Sequence, residues 1–206
     1  MDVDRTYQKI EFFHLASTKT ILENILFVWS RSHDLGYRQG MNEIVAVIIY
    51  YGLSEKETID GLTSHEHIEP DSYWIFEKIM ELGLSDMYSS ADNYKLKNDS
   101  FSEIPTLDRS FEEEISISIR KCHYIFHRIL SRVDNDLFTH IHRHKFEPQL
   151  FLLRWIRCLL CREFHLYKIG EIWDVLFAFS ENKDCFIDIL NYFCISILVN
   201  YRATRN

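Results

Sequence analysis

Glycine and proline are scarce in this chain, with six and three among 206 residues. A protein of many short strands and tight turns needs more of both, so the scarcity favours long helices. Basic charge is also short: 23 Lys and Arg stand against 31 Asp and Glu, a net −8 that argues against nucleic acid as a partner. The chain has no GxxxxGK(S/T) loop, GxGxxG, GxSxG elbow or HExxH helix. It therefore brings no phosphate cradle of its own and none of the common hydrolase or zinc signatures. If nucleotide chemistry takes place here, another molecule holds the nucleotide.

Long apolar runs are limited too. "IVAVIIYYGL" (44–53) is too short to span a bilayer, which takes roughly 20 apolar residues. "CFIDILNYFCISILVNY" (185–201) is interrupted by Asp188, Asn191 and Asn200. Buried helices are expected for both, with no transmembrane segment. The opening "MDVDRT" is charged from its second residue, so no signal peptide is expected. Cys122, Cys158, Cys161, Cys185 and Cys194 are odd in number and lie in apolar sequence. Buried reduced thiols and a cytoplasmic setting fit that pattern.

What is present is apolar bulk: 47% hydrophobic residues and 15% aromatics, enough for one sizeable core. A single all-α domain without internal repeats is expected. Helices are predicted over 17–33 (capped by Ser17 or Thr18), 42–53, 71–90, about 109–133, 135–144, 149–162, 166–179 and 183–201. Apolar faces are assigned to Ile21, Leu22, Ile25, Leu26, Val28 and Trp29, and to Tyr73, Ile75, Phe76, Ile79, Met80 and Leu82. The β-branched run in 44–49 could also be a buried strand, but Asn42 and Glu43 suit a helix start and no partner strands are evident. Residues 91–108 read as a surface loop.

The histidine pairs His123/His127 and His140/His144 are each one helical turn apart, but no further ligand sits at a characteristic spacing, so no metal is expected. "CLLC" (158–161) has redox spacing inside an expected apolar helix, where packing is the better reading. Arg154, Arg157 and Arg162 are spread through apolar sequence and are expected to support the fold.

A different stretch is harder to explain as scaffold. "DLGYRQGMNE" (34–43) is polar and lies between two apolar segments, with Gly36 and Gly40 bracketing Tyr37, Arg38 and Gln39. A C-cap at Gly36 and an N-cap at Asn42 account for everything except Gln39. The helix before it is roughly 25 Å long at 1.5 Å per residue. Residues 6–16, if extended, can run back over a comparable length at about 3.3 Å each. Arg5 and Gln39 can then meet on one face. Together they suit GTP hydrolysis, in which an arginine stabilises charge developing on phosphate and a glutamine orients the attacking water. On pattern alone, a surface arginine and a loop glutamine without a shared task remain the commoner outcome.

Three stretches, in order, resemble the TBC domain family of Rab GTPase-activating proteins. "DVDRT" (2–6) is similar to the family's IxxDxxRT, "YRQG" (37–40) matches YxQG, and "FEPQLFLLRWIRCLLCREFHLYKIGEIWDVLF" (146–177) is similar to RWxxxLxxREF followed by WD. The likeness runs over nearly the whole chain and is greatest to the branch containing TBC domain family member five. It implies an all-helical fold, here expected to be truncated at its N-terminal edge, because the family's leading Ile would precede Met1.

The resemblance implies catalytic roles for Arg5 and Gln39, supplied in trans to a GTP-bound Rab-family GTPase. It implies supporting roles for Asp2, which holds the arginine segment, and for Tyr37 and Gly40, which shape the loop. GTP and Mg²⁺ would be carried by the partner, leaving this chain without a cofactor or metal of its own. It would then be an activator in vesicle trafficking, recruited only peripherally to endomembranes. The short first motif keeps a rival open: a catalytically weak or inactive module that binds a Rab without accelerating hydrolysis. A metal-dependent hydrolase would rest on the histidine pairs alone.

Overall fold

The helix Met41–Ser54 is the most deeply buried element, with three other helices packed around it. The computed structural model describes residues 2–54, 67–89 and 116–204, and every regular element among them is helical. Short 3-10 turns at Val3–Arg5 and Glu11–His14 lead into α1 (Ala16–Ser32), α2 (Met41–Ser54) and α3 (Ile68–Glu81). Every residue of α2 from Met41 to Ile49 is buried, because α1, α3 and α8 (Leu166–Ala178) pack around it. Surrounding helices thus decide the ambiguous β-branched run in favour of a fully buried helix, overriding its strand propensity.

The apolar stripes are narrower than the sequence suggests. On α1, Leu22, Ile25, Leu26 and Trp29 are buried, while Val28 is 49% exposed. On α3, Phe76, Ile79 and Met80 are buried and Ile75 is 50% exposed. Neither Ser17 nor Thr18 caps α1: Leu15 takes the cap position without a side-chain bond. The expected helix 71–90 stops at Glu81, where Gly83 turns left-handed (φ +103°), and a 3-10 segment, Leu84–Tyr88, follows.

The expected loop at 91–108, and residues 109–115 of the next expected helix, lie outside the described residues. The rest of that helix is continuous but changes winding: α4 (Ile117–Tyr124), a π-helical stretch Ile125–Leu130, then α5 (Ser131–Val133). Asp134 caps α6 (Asn135–Arg143) by accepting the Leu137 N–H at 2.9 Å. α7 (Gln149–Arg157) ends before the expected 162. α8 and α9 (Lys183–Ala203) then close the described chain, α9 starting at Asn182, which accepts the Cys185 N–H at 3.0 Å. Among the described residues α9 is the one helix long and apolar enough to cross a membrane. It instead docks on α7, α8 and the π-helical stretch, burying Phe186, Leu190, Asn191, Cys194 and Ile195. Its burial is one-sided, with Tyr192 and Tyr201 exposed, where the sequence reading expects a buried helix.

Candidate functional site

α1 ends at Ser32 and is pinned at His33. The His33 Nδ1–H donates to the Trp29 carbonyl at 2.9 Å, Nε2 lies 3.0 Å from Glu77 Oε1 of α3, and the imidazole stacks on the Trp29 indole. The loop that follows turns at Gly36 (φ +61°) and Gly40 (φ +107°). At Gly40 a Cβ would also meet Cys158 Sγ and Tyr88 Oη at 3.2 Å, so both conformation and space require glycine there. The helix ends earlier than a C-cap at Gly36 would have it; the Gly36 N–H instead closes a turn onto the His33 carbonyl at 3.0 Å.

Asn42 is not the N-cap that its position suggests. It lies inside the first turn of α2, 3% exposed, and its side chain points away from the helix. Its Oδ1 accepts the Gly40 N–H at 3.2 Å, and its Nδ2 donates to Thr6 Oγ1 at 2.9 Å. Thr6 in turn donates its hydroxyl to the Asp2 carbonyl at 3.1 Å. The Tyr37 hydroxyl completes the set, 2.9 Å from Asp2 Oδ2 and 3.1 Å from Asn42 Oδ1. Burial, then the bond to the Asp2 carboxylate, raises the Tyr37 pKa, so the phenol keeps its proton as a donor.

These bonds tie the residues flanking Arg5 to those flanking Gln39. Arg5 and Gln39 themselves are exposed, and neither side chain has a hydrogen-bond or ion-pair partner among the described residues. Tyr7 anchors the same segment from the other side, its hydroxyl donating to the Cys161 carbonyl at 2.9 Å. Glu43, 8% exposed on α2, faces Arg162 at 3.8 Å. Burial raises its pKa, and the Arg162 guanidinium opposes that shift. The result is two free polar side chains on a base of hydrogen-bonded groups, buried at Thr6 and Asn42 and half-buried at Asp2, Tyr7 and Tyr37.

Sequence reasoning missed Thr6, Tyr7 and Asn42 as members of this base. The available signal was their place immediately beside Arg5 and the Gln39 turn, in "RTY" and "QGMN".

The third block is scaffold. Trp155, Leu159 and Leu160 are buried, and Arg154 grips Glu163 through two bonds of 2.6 and 3.0 Å. Arg157 donates to the Met87 carbonyl and to Ser118 Oγ, at 3.0 and 2.9 Å. Trp173 Nε1–H donates to the Leu159 carbonyl at 3.0 Å, while Asp174 is exposed. "CLLC" is a turn after α7, not part of a helix, and its two thiols are free and buried. Burial pushes Cys158 up to about 11 and Cys122 up to about 12.

The paired histidines pack ring against ring. His123 stacks on His127 at 5.7 Å, His127 meets His142 edge-on, and His140 packs on His144 at 4.5 Å. Among the described residues no three His, Cys, Asp or Glu side chains gather as a metal site.

The chain's relatives agree with this architecture. A family model described as the Rab-GTPase-TBC domain matches residues 1–204. TBC1 domain family member 5 from Mus musculus is 29% identical over 218 residues, covering 98% of this chain and 26% of its own length. The GTPase-activating protein gyp1 of Schizosaccharomyces pombe is 27% identical over 214 residues, covering 98% of this chain and 36% of its own length. This chain thus spans about a quarter to a third of the curated relatives it matches. The crystal structure of the Ypt/Rab-GAP domain of Gyp1p shares the fold, with a TM-score of 0.72 at 21% identity, over 98% of this chain and 59% of that one.

Proposed function

This chain belongs to the Rab-GTPase-TBC domain family, and from that premise we propose that it accelerates GTP hydrolysis by a GTP-bound Rab-family GTPase, supplying Arg5 and Gln39 in trans. The observation that carries this reading is the buried hydrogen-bonded base beneath two exposed, unpartnered side chains. The base fixes the backbone that carries each group and leaves the side chain itself to meet a phosphate, so part of the positioning is in place before the partner arrives. The Arg5 guanidinium stabilises charge developing on the transferred phosphoryl group. The Gln39 amide, both donor and acceptor, orients the attacking water. Asp2 and Tyr37 hold the two segments together, and Gly40 allows the turn.

GTP and Mg²⁺ are carried by the partner, and the chain needs no cofactor of its own. Its site of action is the cytoplasmic face of an endomembrane, reached through the Rab. The rival, a module that binds without accelerating, draws support from Arg5 lying in a 3-10 turn of three residues, Val3–Arg5.

A GTP-hydrolysis screen against a panel of GTP-loaded Rab proteins separates the two. On a responsive Rab, Arg5→Lys should lose about 10³–10⁵ of the stimulation, because lysine keeps the charge but not the planar donor fork. Gln39→Ala should still capture the GTP-bound Rab while hydrolysis falls towards the unstimulated rate. A Rab lacking its own switch glutamine should stay sensitive to the unaltered chain. Binding without stimulation across the panel would establish the rival.

A further inference from the structure

Arg5 and Gln39 must reach one phosphate together, yet they come from segments distant in the chain. We propose that Thr6 and Asn42 form a positioning clasp that sets the register of Arg5 against Gln39; this rests on the GTPase-activating reading above. Both residues are buried, at 2% and 3% exposure, and their bonds run in one direction. The Gly40 N–H can only donate, so the oxygen of the Asn42 amide must face it, at 3.2 Å. The amide nitrogen is then aimed at Thr6 Oγ1, 2.9 Å away. Thr6 accepts there, and its own proton goes to the Asp2 carbonyl at 3.1 Å.

The relay therefore starts at the residue after Gln39 and ends on the turn that carries Arg5. Tyr37 bridges the same pair, with one phenolic proton facing Asp2 Oδ2 and Asn42 Oδ1. Because Thr6 and Asn42 are buried, removing the Thr6 hydroxyl leaves the Asn42 amide without a partner or water, so the two hold as a unit. Neither Thr6 nor Asn42 is exposed to a docked phosphate. They act through Arg5 and Gln39, and a shift of about 1 Å in such a pair is worth roughly 10²-fold in rate.

Thr6→Val removes the hydroxyl at nearly constant shape, and Thr6→Ser restores it. On a GTP-loaded Rab that responds to the unaltered chain, Thr6→Val should lower the maximal stimulated rate by roughly 10²-fold. Capture of the GTP-bound Rab should change by less than about twofold, since the loss falls on the transition state, and Thr6→Ser should recover most of the rate. In the chain alone, amide hydrogen exchange at Gly40 should quicken in Thr6→Val and not in Thr6→Ser. Thr6→Ala carries the same expectation if Thr6→Val fails to fold.

An unchanged rate in a folded Thr6→Val, a loss matched by weaker capture, or unchanged exchange at Gly40 overturns the clasp. If Arg5→Ala abolishes stimulation while Thr6→Val does not, the clasp falls and the GTPase-activating reading stands. If the unaltered chain stimulates no Rab, that reading falls and the clasp's catalytic role with it.

Discussion

The turn after α1 and the turn after α7 each hold two residues at positive φ, but with opposite kinds of residue. In the first they are Gly36 (φ +61°) and Gly40 (φ +107°); in the second they are Leu159 (φ +47°) and Leu160 (φ +64°). An L-residue in this region costs roughly 1–2 kcal/mol. Fully burying a leucine side chain stabilises by roughly 1.5–3 kcal/mol, which outweighs that cost. Leu159 and Leu160 are completely buried, and their turn is held by the Leu160 N–H on the Trp155 carbonyl and by Trp173 on the Leu159 carbonyl, at 2.9 and 3.0 Å. At Gly36 a side chain would find little to pack on, and at Gly40 there is no room for one, so burial cannot offset a strained backbone at either and glycine is needed. The two turns also touch, since Cys158 packs against Gly40. A turn that exposes chemistry is written locally, whereas a turn that fills the core is imposed by its surroundings.

The largest effect should come from the buried turn. Leu160→Ala should cost about 2–5 kcal/mol, because it leaves a cavity and keeps the strained backbone. Leu160→Gly removes the same side chain but relieves the strain, and should be about 1 kcal/mol less destabilising than alanine. Denaturant unfolding of the two variants would break the comparison if alanine proved the milder.

A smaller effect is expected in the exposed turn. Gly40→Ala should cost about 1–3 kcal/mol, from its strained φ and its crowding by Cys158 and Tyr88. Gly36→Ala should cost only about 1 kcal/mol, since the nearest atom to its Cβ, Arg38 Nη1, is 3.7 Å away. Thermal unfolding and stimulated GTP hydrolysis, measured on both, would sharpen the contrast: the rate should suffer far more at Gly40. Equal effects at the two glycines would remove the packing between the turns from the account.

The smallest effect concerns pH and the helices behind the buried turn. Burial lowers His123 and His127 below their ordinary 6.5, and His123 and His142 lower His127 further, with Glu147 opposing in both cases. With folded values below the unfolded ones, the unfolded chain binds more protons. Their contribution is therefore complete above the ordinary value and is lost as pH falls through the lowered ones. The unfolding midpoint should drop modestly between about pH 6.5 and 5, and the double variant His123→Gln/His127→Gln should flatten the profile. A midpoint that rises on acidification would reverse the sign.

Most of the helical frame was legible because apolar spacing survives folding unchanged. The stripe Leu22, Ile25, Leu26, Trp29 is read directly from the chain and found buried. Extending α7 to residue 162 failed for a physical reason. Leu159, Leu160 and their flanking cysteines are compatible with a helix, and nothing local marks a leucine for positive φ. Asn42 failed in the complementary way. A capping asparagine accepts a backbone N–H ahead of it, whereas the Asn42 oxygen takes the Gly40 N–H behind it; the sequence cannot show that Thr6, 36 positions away, accepts from its amide nitrogen. Arg5 and Gln39 were singled out by their chemistry, and the family resemblance pointed to Asp2, Tyr37 and Gly40 beside them; Thr6 and Asn42, which join the two segments, were not read in that role.

The sequence by itself determined the elements: helices from apolar period, a left-handed turn from glycine, and an exposed arginine and glutamine from their polarity. The tertiary structure decided which polar groups meet. In water, Asn42, Thr6, Tyr37 and Asp2 each exchange one hydrogen bond for another at little net gain, and nothing selects among partners. Once α2 is packed and its first turn dry, an unpaired amide or hydroxyl there costs about 1–3 kcal/mol, and only the arrangement that satisfies them all persists.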